Sequence, residues 1–139
     1  MVTTRLRVIY GDTDQMGVVY YANYLRYFEA SRNEYLRARG LRYRDFEERF
    51  GLALPVAEAG VSYKQPARYD DLLDVEASVV DVRRASAAFE YRVLRGGELI
   101  ATGRTVHACV DLDGRLRRLP PELVEKLTRG AAAPDRPPP

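Results

Sequence analysis

The chain has 139 residues, of which 46% are hydrophobic and 30% charged, and its formal net charge at pH 7 is +2. That length suits one domain with a single core, and the composition excludes a disordered or fibrous protein. The basic residues are nearly all arginine and are scattered along the sequence, which argues against a nucleic-acid-binding surface.

The cysteine and N-terminal patterns narrow the class of protein further. Cys109 is the single cysteine, so an intramolecular disulfide is excluded, and no cysteine pair or histidine cluster has the spacing of a metal site. The first residues do not form a charged region followed by an apolar one, and no apolar run approaches the roughly 20 residues of a membrane span. We therefore expect a cytoplasmic protein without a membrane span or a bound metal.

The first two predicted elements are a strand and a long helix. Residues 5–10 alternate in polarity, with Val8 and Tyr10 on the buried side of a half-buried strand. Over residues 20–39 apolar side chains recur at steps of three and four, which predicts an amphipathic helix of about five turns. Gly40 follows where a left-handed C-terminal cap is favoured, so the helix should end there.

The rest of the sequence predicts a short helix, four strands and a terminal helix. The Gly96-Gly97 pair indicates a tight hairpin, because both glycines can adopt positive φ. The second strand is irregular, and the third and fourth show clear alternation of apolar and polar residues. In chain order these elements occupy residues 44–50, 52–63, 73–79, 89–93, 99–110 and 121–129.

This order predicts an α+β fold in which one long helix packs on an antiparallel sheet of about five strands. We expect a single domain over residues 1–129. The proline-rich tail, residues 130–139, has no apolar periodicity and is predicted to be disordered. A sheet with long exposed edges invites pairing with a second copy, so a homodimer is expected.

The segment between the first strand and the long helix carries the candidates for chemistry. Asp and Thr often cap helices and build turns, so Asp12-Thr13-Asp14 on its own favours a structural role. A carboxylate beside the first turn of a helix also lies near unpaired backbone N–H groups, which places a base or nucleophile close to an oxyanion donor. Gly17 permits close approach of a ligand to the backbone. Asp14 and Tyr21 are therefore the first catalytic candidates.

A longer pattern around these residues resembles a known signature. The sequence YGDTDQMGVVYYANYLRYFEASR at residues 10–32 resembles that of the 4-hydroxybenzoyl-CoA thioesterase family and its YbgC-like acyl-CoA thioesterase relatives. Residues 66–75 resemble the family's segment that enters the third strand, so the similarity extends over residues 5–119. The resemblance implies a hotdog fold, in which the sheet wraps the long helix and dimers form edge to edge with active sites at the subunit interface. A homotetramer is the further assembly expected.

The resemblance also implies roles for individual residues. By position in the motif, Asp14 corresponds to the catalytic carboxylate, and the backbone N–H of Tyr21 to the donor that polarises the thioester carbonyl. Gly17 and Asp12 would shape the turn, with Gly17 beside the substrate. The expected reaction is hydrolysis of an aliphatic or aromatic acyl-CoA to the free acid and CoA, without a cofactor or metal. Asp14 can act in it as a base or as a nucleophile, and the sequence does not choose between the two.

Two features concern the substrate. Many YbgC-like members carry His at the position of Tyr21, whereas the benzoyl branch tends to carry Tyr there, as this chain does. The sequence therefore leaves the identity of the acyl group open. Arg83-Arg84 resembles a basic turn that contacts the nucleotide phosphates of CoA in the benzoyl branch, and arginine suits phosphate. The third basic residue expected next is Ala85 here. A solvated hairpin turn is the alternative interpretation of this segment.

Other titratable residues have simpler interpretations. Glu29 and Arg32 lie three residues apart on the predicted helix, as in an ion pair on a solvated face. His107 lies in a strand pattern and is interpreted as a hydrogen-bonded strand histidine, and Cys109 as a packing residue. Two alternative functions remain: dehydration or hydration of acyl thioesters, and a non-catalytic hotdog dimer that binds acyl-CoA or another protein. The complete motif around Asp14 argues against the second.

Overall fold

The structure is a computed structural model that describes the backbone of residues 1–132 and the side chains of residues 1–128. The five main strands form one antiparallel sheet in the order β1-β4-β5-β6-β3, and β2 and β7 form a separate pair. The elements are β1 (Val2–Arg7), a short 3-10 helix (Tyr10–Asp12), α1 (Asn23–Ala38), α2 (Tyr43–Phe50), β2 (Leu52–Ala53), β3 (Val56–Tyr63), β4 (Leu72–Val82), β5 (Ser86–Arg95), β6 (Glu98–Ala108), β7 (Val110–Asp111) and α3 (Pro121–Ala132). This arrangement confirms the predicted α+β class and the five-stranded antiparallel sheet.

Helix α1 packs across one face of the sheet. The ring of Phe28 stacks on that of Tyr91 with centroids 4.3 Å apart, and it occupies the space where Gly103 has no side chain. The Ser31 hydroxyl donates a hydrogen bond to the Val75 carbonyl at 3.2 Å, so a polar group on the buried face of α1 is satisfied by the sheet. The helix is therefore held against the sheet by close ring packing and a buried hydrogen bond.

The alternation predicted for the central strands is confirmed. Every second residue of β4 from Leu73 to Val79 is buried, and β5 buries Phe89, Tyr91 and Val93. The hairpin between β5 and β6 turns at the two predicted glycines, both with positive φ. Because one face of a pleated strand points to the core, these period-2 patterns define which side of the sheet α1 covers.

The C-terminal end of α1 is also as predicted. Gly40 has a φ of 80°, and its N–H donates to the carbonyl of Arg37 at 3.0 Å. The N–H of Leu41 reaches back to the carbonyl of Leu36 at 3.0 Å, which completes the paired hydrogen bonds of a Schellman cap. The buried Leu41 side chain then packs into the core.

Two predictions for the first elements are wrong. The first strand ends at Arg7, and Tyr10 lies in the 3-10 helix with 78% of its surface exposed. The chain leaves the sheet after Val8, which pairs with the loop before β4 through its own N–H and the carbonyl of Asp71 at 2.9 Å. Helix α1 begins at Asn23 and not at residue 20, because the preceding residues form a turn.

The predicted second strand and tail also need correction. Residues 52–63 form two strands, since Leu54 and Pro55 break the segment and β2 pairs with β7 while β3 pairs with β6. Helix α3 continues to Ala132, so residues 130–132 of the predicted disordered tail are helical. Residues 133–139 lie outside the described residues.

The two edges of the sheet are β1 and β3. Seven of the eight residues of β3 are exposed, so a long, uncovered edge runs along one side of the fold. Such an edge presents unpaired N–H and C=O groups to any strand that can align with it. None of the helices within residues 1–132 has the length and apolar character of a membrane span.

Candidate active site

The buried carboxylate of Asp12 organises the segment before α1. Its Oδ2 accepts hydrogen bonds from the Tyr27 hydroxyl at 2.9 Å and from the backbone N–H of Ile9 at 3.1 Å, and Oδ1 accepts from Arg26 at 3.2 Å. Burial and the hydrogen bond to Asp12 raise the pKa of Tyr27, so this hydroxyl stays protonated and donates. With only 4% of its surface exposed, Asp12 is a structural anchor that shapes the turn.

The backbone of the same residue holds the start of α1. The carbonyl of Asp12 accepts hydrogen bonds from the N–H of Tyr20 at 2.9 Å and from the side-chain amide of Asn23 at 2.8 Å. Ala22 occupies the N-cap position without a side-chain cap. Tyr21 therefore lies two residues before α1, although the sequence predicted that it lies inside the helix, and its N–H has no acceptor within the described chain.

Asp14 lies in a tight turn stabilised by its own backbone and side chain. Its N–H donates to the carbonyl of Val18, and its carbonyl accepts from the N–H of Gly17, both at 2.9 Å. Its Oδ1 accepts the N–H of Met16 at 2.9 Å, which leaves Oδ2 without a donor among the described residues. Gly17 has a φ of 80° and open space where a Cβ would stand, so the turn is accessible on that side.

Tyrosine side chains surround the junction between the turn and α1. The Tyr63 hydroxyl on β3 donates to the carbonyl of Tyr21 at 3.0 Å, and the rings of Tyr20 and Tyr21 lie 4.6 Å apart. A hydrogen bond with Tyr21 raises the pKa of the Tyr20 hydroxyl, and the charge of Asp14 acts in the same direction. Tyr20 therefore links the two predicted catalytic residues, since its ring lies beside that of Tyr21 and its hydroxyl is affected by the charge of Asp14.

The structure does not bring Arg83 and Arg84 to this junction within one chain. They follow β4, whose other end lies next to the Asp14 turn, and the eleven residues of that strand span roughly 35 Å. Arg83 pairs with Asp81 at 2.9 Å, and both arginines line an open groove with Arg118 beside the start of α3. Arg118 gives this groove the third basic residue that the sequence lacks at position 85.

A separate cavity of about 250 Å³ lies under the C-terminal half of α1. Arg32 lines it with only 15% of its side chain exposed, 3.9 Å from Glu29, which is 67% exposed. The predicted ion pair is therefore present. The prediction that it lies on a solvated face is wrong for Arg32, because residues of α2 and of the strands bury its side chain. No local sequence pattern indicates this cavity, because its lining comes from six helices and strands and the loop before β3: Glu29, Arg32, Asn33, Leu36, Tyr43, Leu54, Pro55, Val56, Ala87, Phe89, His107 and Leu127.

His107 also lines this cavity and is hydrogen-bonded on both ring nitrogens, as the strand interpretation predicted. Nδ1 lies 3.0 Å from the carbonyl of Leu54, and Nε2 lies 2.8 Å from the Thr105 hydroxyl. Burial lowers the pKa of His107. Cys109 is a buried free thiol whose pKa burial raises, consistent with packing. No cluster of three or more metal-ligating side chains occurs in the part of the chain that the structure describes.

Comparisons with known proteins identify the family of the chain. Residues 8–127 match the family described as the Thioesterase-like superfamily. The acyl-CoA thioesterase YbgC of Haemophilus influenzae is 41% identical over 107 residues, which are 77% of this chain and 79% of that protein.

Solved structures extend the comparison to the whole fold. DHNA-CoA thioesterase from Staphylococcus aureus is 30% identical with a TM-score of 0.89, and the match covers 96% of this chain and 92% of that chain. An Asp-to-Asn variant of 4-hydroxybenzoyl-CoA thioesterase, complexed with 4-hydroxybenzoyl-CoA, is 29% identical with a TM-score of 0.81. The match covers 91% of this chain and 97% of that chain. These neighbours confirm the hotdog fold, and the chain belongs to the Thioesterase-like superfamily.

Proposed function

We propose that this protein is an acyl-CoA thioesterase that hydrolyses an acyl-CoA to the free acid and CoA at Asp14. The observation that carries the proposal is that one short segment holds a carboxylate oxygen and a backbone N–H that both lack partners among the described residues. Oδ2 of Asp14 accepts no hydrogen bond from the described residues, and the N–H of Tyr21 meets no acceptor there. Membership of the Thioesterase-like superfamily gives that pair its reaction.

The chemistry needs no cofactor. A thioester carbonyl bound at the start of α1 would accept a hydrogen bond from the Tyr21 N–H, which stabilises the negative charge that develops on its oxygen. Asp14 then either removes a proton from the water that attacks the carbonyl and expels CoA, or attacks the carbonyl itself, which breaks the C–S bond, releases the CoA thiolate and leaves an anhydride that water hydrolyses. The Asx hydrogen bond from the Met16 N–H fixes the carboxylate in place for either route.

The proposal includes a homodimer formed along β3. Antiparallel pairing of two β3 edges, centred on the middle of Val56–Tyr63, places the Tyr63 end of one copy against the Val56 end of the other. Tyr63 contacts Tyr21 in its own chain. The Val56 end of β3 lies at the same end of the sheet as the turn between β4 and β5. Arg83 and Arg84 of a second copy would thereby approach the active site and can bind the CoA phosphates.

A homotetramer of two such dimers is the further assembly that we propose, and light scattering of the purified protein measures both states. A cytoplasmic location is also part of the proposal. It is supported by the single buried thiol and the absence of a second cysteine for a disulfide.

The decisive experiment compares the parent with Asp14→Asn and Asp14→Ala on a panel of aliphatic and aromatic acyl-CoAs. CoA release is followed with a thiol reagent, to which the buried Cys109 should contribute little. We expect kcat to fall at least about a hundredfold, the scale of a lost general base or nucleophile. The matched control is Asp113→Asn, in an exposed turn beside Gly114, which should leave kcat unchanged.

Each other outcome has a definite meaning. If the Asp14 variants hydrolyse as fast as the parent, the catalytic assignment is wrong. If the parent binds acyl-CoA but hydrolyses none of the panel, the protein is a non-catalytic binding dimer. A single turnover in oxygen-18 water tests for the anhydride: label in Asp14 shows that water opens an anhydride at the Asp14 carbonyl, whereas label only in the product acid shows that water attacks the acyl carbon, as general-base catalysis requires.

A further inference from the structure

The loop between β3 and β4, residues 66–71, contacts the turn that carries Asp14. The N–H of Val19 donates to the carbonyl of Ala67 at 2.8 Å, and Val18 forms an antiparallel β-bridge with the next residue of the loop. The carbonyl of Val18 in turn accepts the N–H of Asp14 at 2.9 Å. A displacement of the 66–71 loop would therefore move the backbone to which the Asp14 carboxylate is attached.

Arg95, the last residue of β5, holds the 66–71 loop from the side of the sheet. Its Nη1 donates to the carboxylate of Asp71 at 2.7 Å and to the carbonyl of Pro66 at 3.0 Å, so one nitrogen joins the two ends of the loop. The bonded oxygen of Asp71 also accepts the N–H of Arg68 at 2.8 Å. Arg95 and Asp71 expose 30% and 24% of their side chains, so solvent screens this pair less than an ordinary surface ion pair.

The conformation of the loop requires such contacts. Asp70 has a φ of 72° and is the one residue other than glycine with positive φ in the part of the chain that the structure describes. A residue with a side chain adopts this left-handed conformation at an energetic cost, and it persists only where the surrounding structure fixes it. On the β1 side the Asp70 N–H donates to the Val8 carbonyl at 3.0 Å, and Arg7 donates to the Asp70 carbonyl at 2.7 Å. Arg95 supplies the contacts on the opposite side.

We propose that Arg95 is a positioning residue for thioester hydrolysis: through Asp71 and Pro66 it fixes the 66–71 loop against the active-site turn and so keeps the Asp14 carboxylate in its productive direction. The inference rests on the proposed thioesterase function and adds to it a residue that acts on Asp14 through the backbone. Such an effect can be large, because a displacement of about 1 Å in a catalytic group can lower a rate by about a hundredfold.

The kinetic test replaces the guanidinium with an uncharged chain in Arg95→Met. We expect kcat to fall roughly ten- to a hundredfold while KM changes less than about threefold, because the loop orients the carboxylate and does not itself hold the acyl-CoA. Arg95→Lys should recover part of the lost kcat, since one ammonium group can donate to both Asp71 and Pro66. Asp71→Asn is a second variant that removes the same ion pair if Arg95→Met does not fold, and it should also lower kcat.

Two matched controls separate this contact from a general loss of surface charge. Arg92→Met removes another β5 arginine, which is exposed and pairs with Glu76 at 3.2 Å. Glu98→Gln removes the third partner of Arg95, which binds Nη2 at 2.8 Å across the β5–β6 hairpin and does not contact the loop through that bond. Both controls should leave kcat unchanged. A kcat of Arg95→Met equal to that of the parent would overturn the inference.

A double-mutant cycle shows whether Arg95 acts through Asp14. In the Asp14→Asn background, Arg95→Met should lower the residual rate by less than about threefold, because the group that it positions is already gone. A merely structural role would reduce the rate by the same factor in both backgrounds. Equal factors would therefore overturn the positioning role.

Hydrogen exchange measures the active-site turn without any substrate. We expect the N–H groups of Asp14 and Val19 to exchange at least about tenfold faster in Arg95→Met than in Arg92→Met, because local opening of the turn becomes easier. Unchanged exchange at both groups would overturn the inference.

The two proposals fail in different ways. A parent that hydrolyses no acyl-CoA overturns the proposed function and this inference with it. An active parent in which Arg95→Met changes neither kcat nor the exchange supports the function and overturns the inference alone.

Discussion

Replacing the buried Asp12 with alanine should destabilise the protein strongly and disturb the Asp14 turn. The Tyr27 hydroxyl at 2.9 Å and the Ile9 N–H at 3.1 Å would lose their acceptor in a site where Asp12 itself is only 4% exposed. An unsatisfied buried polar group costs about 1 to 3 kcal/mol, so the two together lower the free energy of unfolding by about 2 to 6 kcal/mol. Arg26 adds little, because its side chain is exposed.

A double-mutant cycle isolates the central contact of this cluster. Tyr27→Phe alone should cost about 1 to 2 kcal/mol, because the carboxylate of Asp12 keeps its other donors. The double variant Asp12→Ala/Tyr27→Phe should cost about 1 to 2 kcal/mol less than the sum of the single changes, since it leaves no orphaned hydroxyl.

Urea denaturation followed by circular dichroism measures all four proteins. A change of less than about 0.5 kcal/mol in the free energy of unfolding for Asp12→Ala, or additive effects of the two substitutions, would show that Asp12 does not hold the Tyr27 hydroxyl. Tyr43→Phe is a matched control, because the Tyr43 hydroxyl accepts a hydrogen bond from the Leu54 N–H at 2.7 Å in another part of the fold. It should show no coupling to Asp12→Ala.

Three other predictions concern stability and reactivity. Gly103→Ala should lower the free energy of unfolding by about 1 to 3 kcal/mol in a denaturation experiment, because its methyl group would overlap the Phe28 ring; an unchanged midpoint would contradict the close packing. Burial opposes ionisation of Asp71, but a backbone N–H and Arg95 at 2.7 Å outweigh it and hold its pKa below the usual value. That stabilisation is complete above the unfolded pKa of about 3.9 and is lost as the pH falls through the folded pKa, so Asp71→Asn should be less stable than the parent at pH 7, with a difference that narrows in acid unfolding titrations. Cys109 should react with a thiol reagent only in denaturant, and fast labelling of the native protein would show that its burial is wrong.

Elements with a strong local signal were predictable from the sequence. The alternation from Leu73 to Val79 identified the buried face of β4, because one side of that strand packs against α1 and α3. Gly40 identified the end of α1, since a left-handed residue there completes a local cap. In both cases the pattern depends on residues close in sequence, so no tertiary contact was needed to interpret it.

The start of α1 and the exposed position of Tyr10 in the 3-10 helix were not predictable in the same way. Both depend on Asp12, whose carboxylate binds Tyr27 and whose carbonyl binds Asn23. Because of these contacts, the chain leaves the sheet after Val8 and α1 begins only at Asn23, although the apolar periodicity begins earlier in the sequence. A period-based prediction cannot include an acceptor that lies 11 to 15 residues away in the chain.

The cavity around Arg32 shows the same limit. In sequence, Glu29 and Arg32 match an exposed ion pair at helical spacing, and only the fold reveals that α2 and β6 bury the guanidinium beside His107. The Asp14 motif, in contrast, lies in one continuous segment, so its resemblance to a thioesterase signature was visible before the structure.

A joint measurement of kcat and acyl-CoA affinity for Asp14→Asn tests the proposed catalytic role of Asp14 directly. Asp14 is proposed to act in the chemical step, while the Tyr21 N–H still binds the carbonyl in the variant. We therefore predict that kcat falls at least about a hundredfold, while the Kd for the acyl-CoA, measured on the inactive variant, stays within about threefold of the parental value. A kcat equal to that of the parent would contradict the central claim.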